Sequence, residues 1–173
     1  ADGGRPLERA ALEAWVAEER RAVSAHLTAT LRPDPEVTGA LRRLGRDRTS
    51  AVVSSSALAR LDACFRVTGL SDLLPPERRF SAEDSLPRPT SKPDPAVYRH
   101  ALERLGVAPE DAVAVEDSAT GARSAVGAGV PTVGNLRFVA TDERAERDAA
   151  LREAGVVAVV ASWPELERLL ADA

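Results

Sequence analysis

The sequence predicts an α/β fold in which a parallel sheet is covered by helices on both faces. Three observations carry that reading. From about Arg32 onward, helical and strand-like segments alternate, the order produced when parallel strands are joined by crossover helices. The strand-like segments include valine runs without polar interruption, such as Ala112 to Val115 and Val156 to Val160, which suit strands buried on both faces. Polar residues follow directly on two of these runs, at Ser54-Ser55-Ser56 and Glu116-Asp117-Ser118. In open parallel sheets, ligands sit beyond the carboxyl ends of the strands.

The elements can be placed in order. Pro6 to Leu31 reads as helix, because Leu7, Ala11, Leu12, Trp15, Val16, Val23 and Leu27 recur at three-to-four spacing against Glu8, Arg9, Glu13, Glu18, Glu19, Arg20 and Arg21. That pattern belongs to an amphipathic hairpin or to one long helix. Pro33 and Pro35 interrupt it, and Asp34 before Pro35 opens a second helix through Leu44, with proline at a first helical position. A boundary near Arg32 divides residues 1–31 from residues 32–173. Thr49 to Val53 is a strand, Ala57 to Phe65 a helix and Arg79 to Ser81 a short strand. A proline-rich loop from Leu86 to Pro95 leads into a helix from Ala96 to Leu105. The remaining order is strand Ala112 to Val115, helix Thr120 to Ala128, strand Val130 to Val133, helix Asp142 to Glu153, strand Val156 to Val160 and helix Pro164 to Leu170.

Composition narrows the function. A chain of 173 residues suffices for one domain, or one domain with a small appendage, around a real core. It is 44% hydrophobic and 29% charged, with aromatics at only 3%, so small aliphatic side chains do the packing. The net charge of −4, with both signs interspersed, forms no basic stripe and argues against a nucleic-acid partner. The longest apolar stretch, Ala154 to Trp163, falls well short of the roughly 20 residues of a membrane span, so no membrane partner is expected. The single cysteine, Cys64, reads as a small buried apolar residue and suits a reducing cytoplasm. The chain has no methionine, even at position 1, which points to a longer precursor.

Three segments carry candidate chemistry. The hydroxyls of Ser54, Ser55 and Ser56 stand before a helix N-terminus, where they could hold an anion; capping of that helix is the competing reading. Glu116 and Asp117 are adjacent carboxylates at a strand end, and such hard oxygen ligands suit Mg²⁺. Capping by Asp117 or Ser118 competes there too. Lys92 lies in Thr90-Ser91-Lys92-Pro93-Asp94-Pro95, where proline stiffening makes a fixed charge of a residue that is ordinarily solvated surface.

Together these segments form a pattern. Val-Val-Ser-Ser-Ser, Ser-Lys-Pro-Asp-Pro-Ala-Val-Tyr and Val-Ala-Val-Glu-Asp-Ser-Ala-Thr-Gly-Ala-Arg-Ser-Ala-Val-Gly-Ala-Gly-Val resemble, in order and spacing, the second, third and fourth motifs of haloacid-dehalogenase-superfamily hydrolases. The likeness is nearest to the β-phosphoglucomutase-like phosphatase branch and extends over roughly Leu31 to Gly134. It implies a Rossmann-like core at residues 32–173 and the C-terminal part of a helical cap at residues 1–31. It also implies Mg²⁺-dependent phosphoryl transfer through an aspartyl-phosphate, with a small phosphomonoester such as a sugar phosphate as substrate. The same motifs serve phosphatase and phosphomutase alike. By this resemblance Ser54 binds a phosphate oxygen with Ser55 and Ser56 assisting, Lys92 pairs with the phosphate and the nucleophilic carboxylate, and Asp117 with Glu116 holds the metal.

One family motif has no counterpart. The sequence contains no Asp-x-Asp, and Asp2-Gly3-Gly4 has no strand before it. The resemblance places the strand carrying that motif centrally, between the strand ending at Ser54 and the one ending at Glu116. The expectation is a core without its central first strand, whose flanking edges carry unpaired peptide groups costing about 1–3 kcal/mol each unless re-satisfied. Such a chain is inactive by itself, whereas its parent is a phosphatase whose N-terminal segment, or a second chain, fills the gap. A catalytically inactive phosphate-binding or scaffold module is the second reading. A receiver-like signalling domain shares the parallel sheet, but the cap-like helix and the Ser-Lys-Pro-Asp-Pro loop argue against it.

Overall fold

The computed structural model describes residues 8–171. Asp2-Gly3-Gly4 and the expected helix start at Pro6 and Leu7 lie outside the described residues. The N-terminal amphipathic pattern forms one helix, α1 (Arg9–Thr30), rather than a hairpin. It packs on α3 (Leu58–Thr68), and its Arg20 pairs with Glu83 in the loop beyond the second strand. Trp15 and Leu12 of the expected apolar stripe remain exposed. The second helix, α2 (Pro35–Leu44), begins as its sequence dictates: Asp34 Oδ1 accepts the Glu36 and Val37 amides at 2.9 and 3.3 Å, with Pro35 at the first position. An N-cap of this kind contributes about 1 kcal/mol.

The strands are β1 (Val52–Ser54), β2 (Arg79–Ser81), β3 (Ala114–Glu116), β4 (Thr132–Asn135) and β5 (Ala158–Val160). Each lies within a few residues of the segment expected from the sequence, and β2, which has no valine, matches its expected bounds. The helices between them are α4 (Ala96–Leu105), α5 (Ala119–Gly127) and α6 (Arg144–Glu153), and α7 (Trp163–Ala171) follows β5. Every strand pairing is parallel: Val53 lies opposite Phe80, Val115 opposite Val133 and Gly134 opposite Val159.

The sheet is divided. β1 and β2 form one ladder and β3-β4-β5 another, and among the described residues no ladder joins β1 to β3. Between those two strands lies a cavity of about 990 Å³. This is the gap the sequence led one to expect. It also corrects one expectation, because the valines of the run ending in β3 are not buried on both faces: Val113, just before the strand, is 46% exposed and Val115, within it, 37%. A valine run is enclosed only when strands flank it on both sides, and β3 has a strand beside it on one side alone.

Helices cover both faces, with α4, α5 and α6 packed in succession and α2 packed on α7. Strand alternation assigns the side chains. Ala114 joins the cluster of Phe80, Val97, Tyr98, Ala101 and Val130 beneath α4 and α5, whereas Val133 joins Val160, Leu166 and Leu170 beneath α7. Gly134 faces Leu151 of α6, where an added Cβ would lie 3.0 Å from its Cδ1. No described helix is long and apolar enough to cross a membrane.

Candidate functional site

The carboxyl ends of β1 and β3 open on the same cavity, and Ser54, Ser55, Ser56, Lys92, Glu116 and Asp117 all line it. Lys92 comes from the loop before α4, and that loop is held at several points. Thr90 Oγ1 donates to Asp94 Oδ2 at 3.1 Å, the Ala96 amide donates to Asp94 Oδ1 at 2.8 Å, and Ser124 Oγ of α5 donates to the Asp94 carbonyl at 2.7 Å. The Lys92–Pro93 peptide is cis. From this platform the Lys92 amide donates to Ser55 Oγ at 3.3 Å, and Nζ donates to the Val53 carbonyl at 2.9 Å and to Glu116 Oε1. Lys92 therefore spans the gap from β1 to β3 with a side chain only 11% exposed. The solvated-surface reading does not hold.

Glu116 is the hub on the far side. Its Oε1 also accepts the Tyr98 hydroxyl, and the Lys92 ammonium lies 5.1 Å from the centre of the Tyr98 ring, within cation–π range. Its Oε2 occupies space that only glycine leaves free, since a Cβ on Gly121 would fall 1.9 Å from it. Burial, reinforced by the charge of Glu116 and the hydrogen bond to it, raises the Tyr98 phenol well above its ordinary value, so Tyr98 stays a neutral donor. The unfolded chain loses that proton near the usual value of about 10, while the folded chain keeps it. The Tyr98 contribution to stability is therefore intact below about pH 10 and is lost as the pH rises above it. Tyr98 is the only tyrosine, so tyrosinate absorbance reads it directly. The native protein is expected to show almost none at about pH 10.5, where the urea-unfolded chain is mostly ionised; coincident native and unfolded titrations would refute the buried Tyr98–Glu116 bond.

The capping alternatives separate. Helix α3 has Ala57 at its N-cap with no side-chain cap, and its Leu58 amide donates to Asp84 Oδ2 at 2.6 Å. The serines are thus not its caps; Ser54 Oγ instead accepts the Ser56 amide at 3.0 Å. On α5 the cap is Ser118, whose Oγ accepts the Gly121 amide at 3.1 Å. Asp117 is left with an exposed side chain, and its carbonyl accepts from Arg147 Nη1 at 2.9 Å.

As metal ligands, Glu116 and Asp117 were expected as a pair, but the pair is unequal. Glu116 Oε1 is engaged by Lys92 and Tyr98, so Asp117 and Glu116 Oε2 are the oxygens not so engaged. Among the described residues no cluster of three or more His, Cys, Asp or Glu could hold a metal. The donor chemistry still fits Mg²⁺, which binds through one or two carboxylates and completes its shell with water and substrate phosphate. Tyr98, Gly121 and Arg147 escaped the sequence reading. Tyr98 and Gly121 lie inside the quoted motifs, but their convergence on Glu116 depends on α4 and α5 packing side by side; Arg147 carried no signal.

Comparison with known proteins places this geometry in context. The family described as haloacid dehalogenase-like hydrolase matches residues 2–129. A "phosphorylated carbohydrates phosphatase" of Thermotoga maritima is 42% identical over 69 residues, covering 40% of this chain and 30% of that protein. A haloacid dehalogenase-like protein of unknown function from Agrobacterium tumefaciens superposes with a TM-score of 0.77 at 26% identity, over 96% of this chain and 71% of that one. CbbY of Rhodobacter sphaeroides, solved as a mutant in complex with xylulose-(1,5)bisphosphate, gives a TM-score of 0.66 at 28% identity, over 87% of this chain and 65% of that one. The aligned stretches span only 23–32% of the length of the curated relatives.

Proposed function

The chain belongs to the haloacid dehalogenase-like hydrolase family, and from that premise we propose that its protein is a Mg²⁺-dependent phosphatase of small phosphomonoesters, sugar phosphates among them. The reaction runs through an aspartyl-phosphate whose aspartate lies outside these 173 residues. Support for the substrate class comes from relatives: the Thermotoga protein is named for phosphorylated carbohydrates, and the Rhodobacter protein was solved with a sugar bisphosphate.

The observation that carries the proposal is Lys92. An ammonium tethered by β1 and β3, at the mouth of a cavity rimmed by Ser54, Ser55 and Ser56, is a preorganised positive charge for a phosphoryl group. In the resting chain it is parked on Glu116. When substrate binds, Lys92 holds a phosphate oxygen and the nucleophilic carboxylate, and Ser54 donates its hydroxyl to a second oxygen. Asp117, with Glu116 Oε2 beside it, holds the metal. When bound, Mg²⁺ supplies neutralisation of phosphate charge. Residues 1–31 form the end of a helical cap over a core of residues 32–173, consistent with the Arg20–Glu83 pair that ties α1 to the core.

The test starts from the coding sequence upstream, which should encode an apolar strand ending in Asp-x-Asp. Protein that includes it should release phosphate from p-nitrophenyl phosphate with Mg²⁺ and stop when the metal is chelated. Absence of such a strand, or release indifferent to chelation, would overturn the enzyme. A second reading, a phosphate-binding module without turnover, needs only the serines and Lys92 that line the cavity; it predicts saturable binding of a sugar phosphate with no release under the same conditions.

A further inference from the structure

We propose that Tyr98 is a positioning residue of this site: its hydroxyl holds Glu116 by Oε1, so that the Lys92 ammonium can leave that oxygen for a phosphate oxygen while Oε2 stays available to the metal. The role rests on the phosphatase reading and adds to it a residue that acts through another.

The two donors on Glu116 Oε1 differ in freedom. Lys92 reaches it from the loop before α4, and its ammonium has a second acceptor in the Val53 carbonyl at 2.9 Å. It can therefore exchange one acceptor while keeping the other. Tyr98 has no such freedom. It stands in the first turn of α4 with its ring in the cluster of Phe80, Val97, Ala101 and Ala114, only 8% exposed, and its hydroxyl donates to the same oxygen. Helix α4 is tied in turn to α5. Arg99 Nη2 donates to the Gly127 carbonyl at 3.0 Å, and the fully buried Ser124 donates through Oγ to the Asp94 carbonyl at 2.7 Å. The same α5 carries Gly121, whose lack of a side chain makes room for Oε2. One helix pair thus sets both oxygens of Glu116, with the hydroxyl on Oε1 from α4 and the space for Oε2 on α5.

The chemistry needs that hold. Glu116 is 8% exposed, and a carboxylate so enclosed is costly without a donor. If Lys92 were its sole partner, each move of the ammonium toward phosphate would leave the carboxylate unpaired and draw the ammonium back. With the Tyr98 hydroxyl on Oε1, the carboxylate keeps a bond and an orientation wherever Lys92 points. Partners of this kind orient ligating carboxylates in metal sites generally. Packing does not explain the oxygen. Phenylalanine would fill the same place in the cluster, and the one atom by which tyrosine differs is the one that meets Glu116.

The experiment uses protein that carries the Asp-x-Asp segment and compares it with Tyr98→Phe, Glu116→Gln and the double variant. Binding of Mn²⁺, as a stand-in for Mg²⁺, is read without turnover from the electron paramagnetic resonance of the free ion. Release from p-nitrophenyl phosphate gives kcat, and circular dichroism reports the fold. Tyr98→Phe, which keeps the ring, should fold natively, bind Mn²⁺ about tenfold or more weakly and lose kcat by a similar factor. Added to Glu116→Gln, the same change should weaken Mn²⁺ binding little further, because the hydroxyl acts through that carboxylate. A native Tyr98→Phe protein with unchanged Mn²⁺ affinity and kcat overturns the assignment. So do losses that are equal on the two backgrounds, which mark a tyrosine serving the core alone. Weaker Mn²⁺ binding in Tyr98→Phe while none of the proteins releases phosphate sinks the phosphatase reading and not the hold on Glu116.

Discussion

Changing Lys92 to alanine is expected to lower kcat for an aryl phosphate by about 10²–10³-fold in protein that carries the Asp-x-Asp segment, the range seen when one preorganised stabilising donor is removed. The reason is placement. The ammonium is held by the Val53 carbonyl and Glu116 at the cavity mouth, so its charge is oriented before phosphate arrives and no reorganisation is needed during transfer. Arginine should restore little, because a planar fork cannot reproduce a point charge that fits between a carbonyl, a carboxylate and the Tyr98 ring. The measurement is the steady-state rate of phosphate release with the circular dichroism spectrum as a control. A native spectrum with an unchanged rate would remove Lys92 from the chemistry.

The second large effect concerns stability. Glu116→Ala is expected to destabilise the chain by about 3–5 kcal/mol, because it strands the Lys92 charge in a site where both partners are nearly enclosed. Lys92 and Glu116 side chains are 11% and 8% exposed, so solvent screens the pair little. For a chain of this size such a loss corresponds to a fall in melting temperature on the order of 10 °C. The double change Glu116→Ala with Lys92→Ala should cost less than the sum of the single changes, since removing both charges leaves neither uncompensated. Urea denaturation of the four proteins measures this. Additive losses would mean that the two residues do not depend on each other.

Much of this structure was legible in the sequence, and the particular residues show why. Asp34-Pro35 announced α2, and the helix begins at Pro35 with Asp34 as its cap, because capping depends only on residues a few positions apart. The valine runs marked the strands, though Thr49 to Val53 was too early for β1 (Val52–Ser54); strand limits follow the partner's ladder rather than the apolar run itself. The serines, Lys92 and the Glu116-Asp117 pair stand out in the sequence because they lie just beyond strands or in a proline-stiffened loop, and the fold brings all of them to the lining of the same cavity.

What the amino-acid order determined by itself is local: helix starts, strand positions, and which polar residues fall at carboxyl ends. Tertiary structure alone decided that Ser118 rather than Asp117 caps α5, that Tyr98 shares the Glu116 oxygen held by Lys92, and that Gly121 leaves that carboxylate its space. Those contacts join positions up to 24 residues apart, and no periodicity of side chains records which helices lie side by side. The division of the sheet was legible only through the resemblance, which leaves the central strand without a counterpart. The exposure of Val115 at the open edge was not, because the residue carries the same side chain whether or not a strand lies beside it.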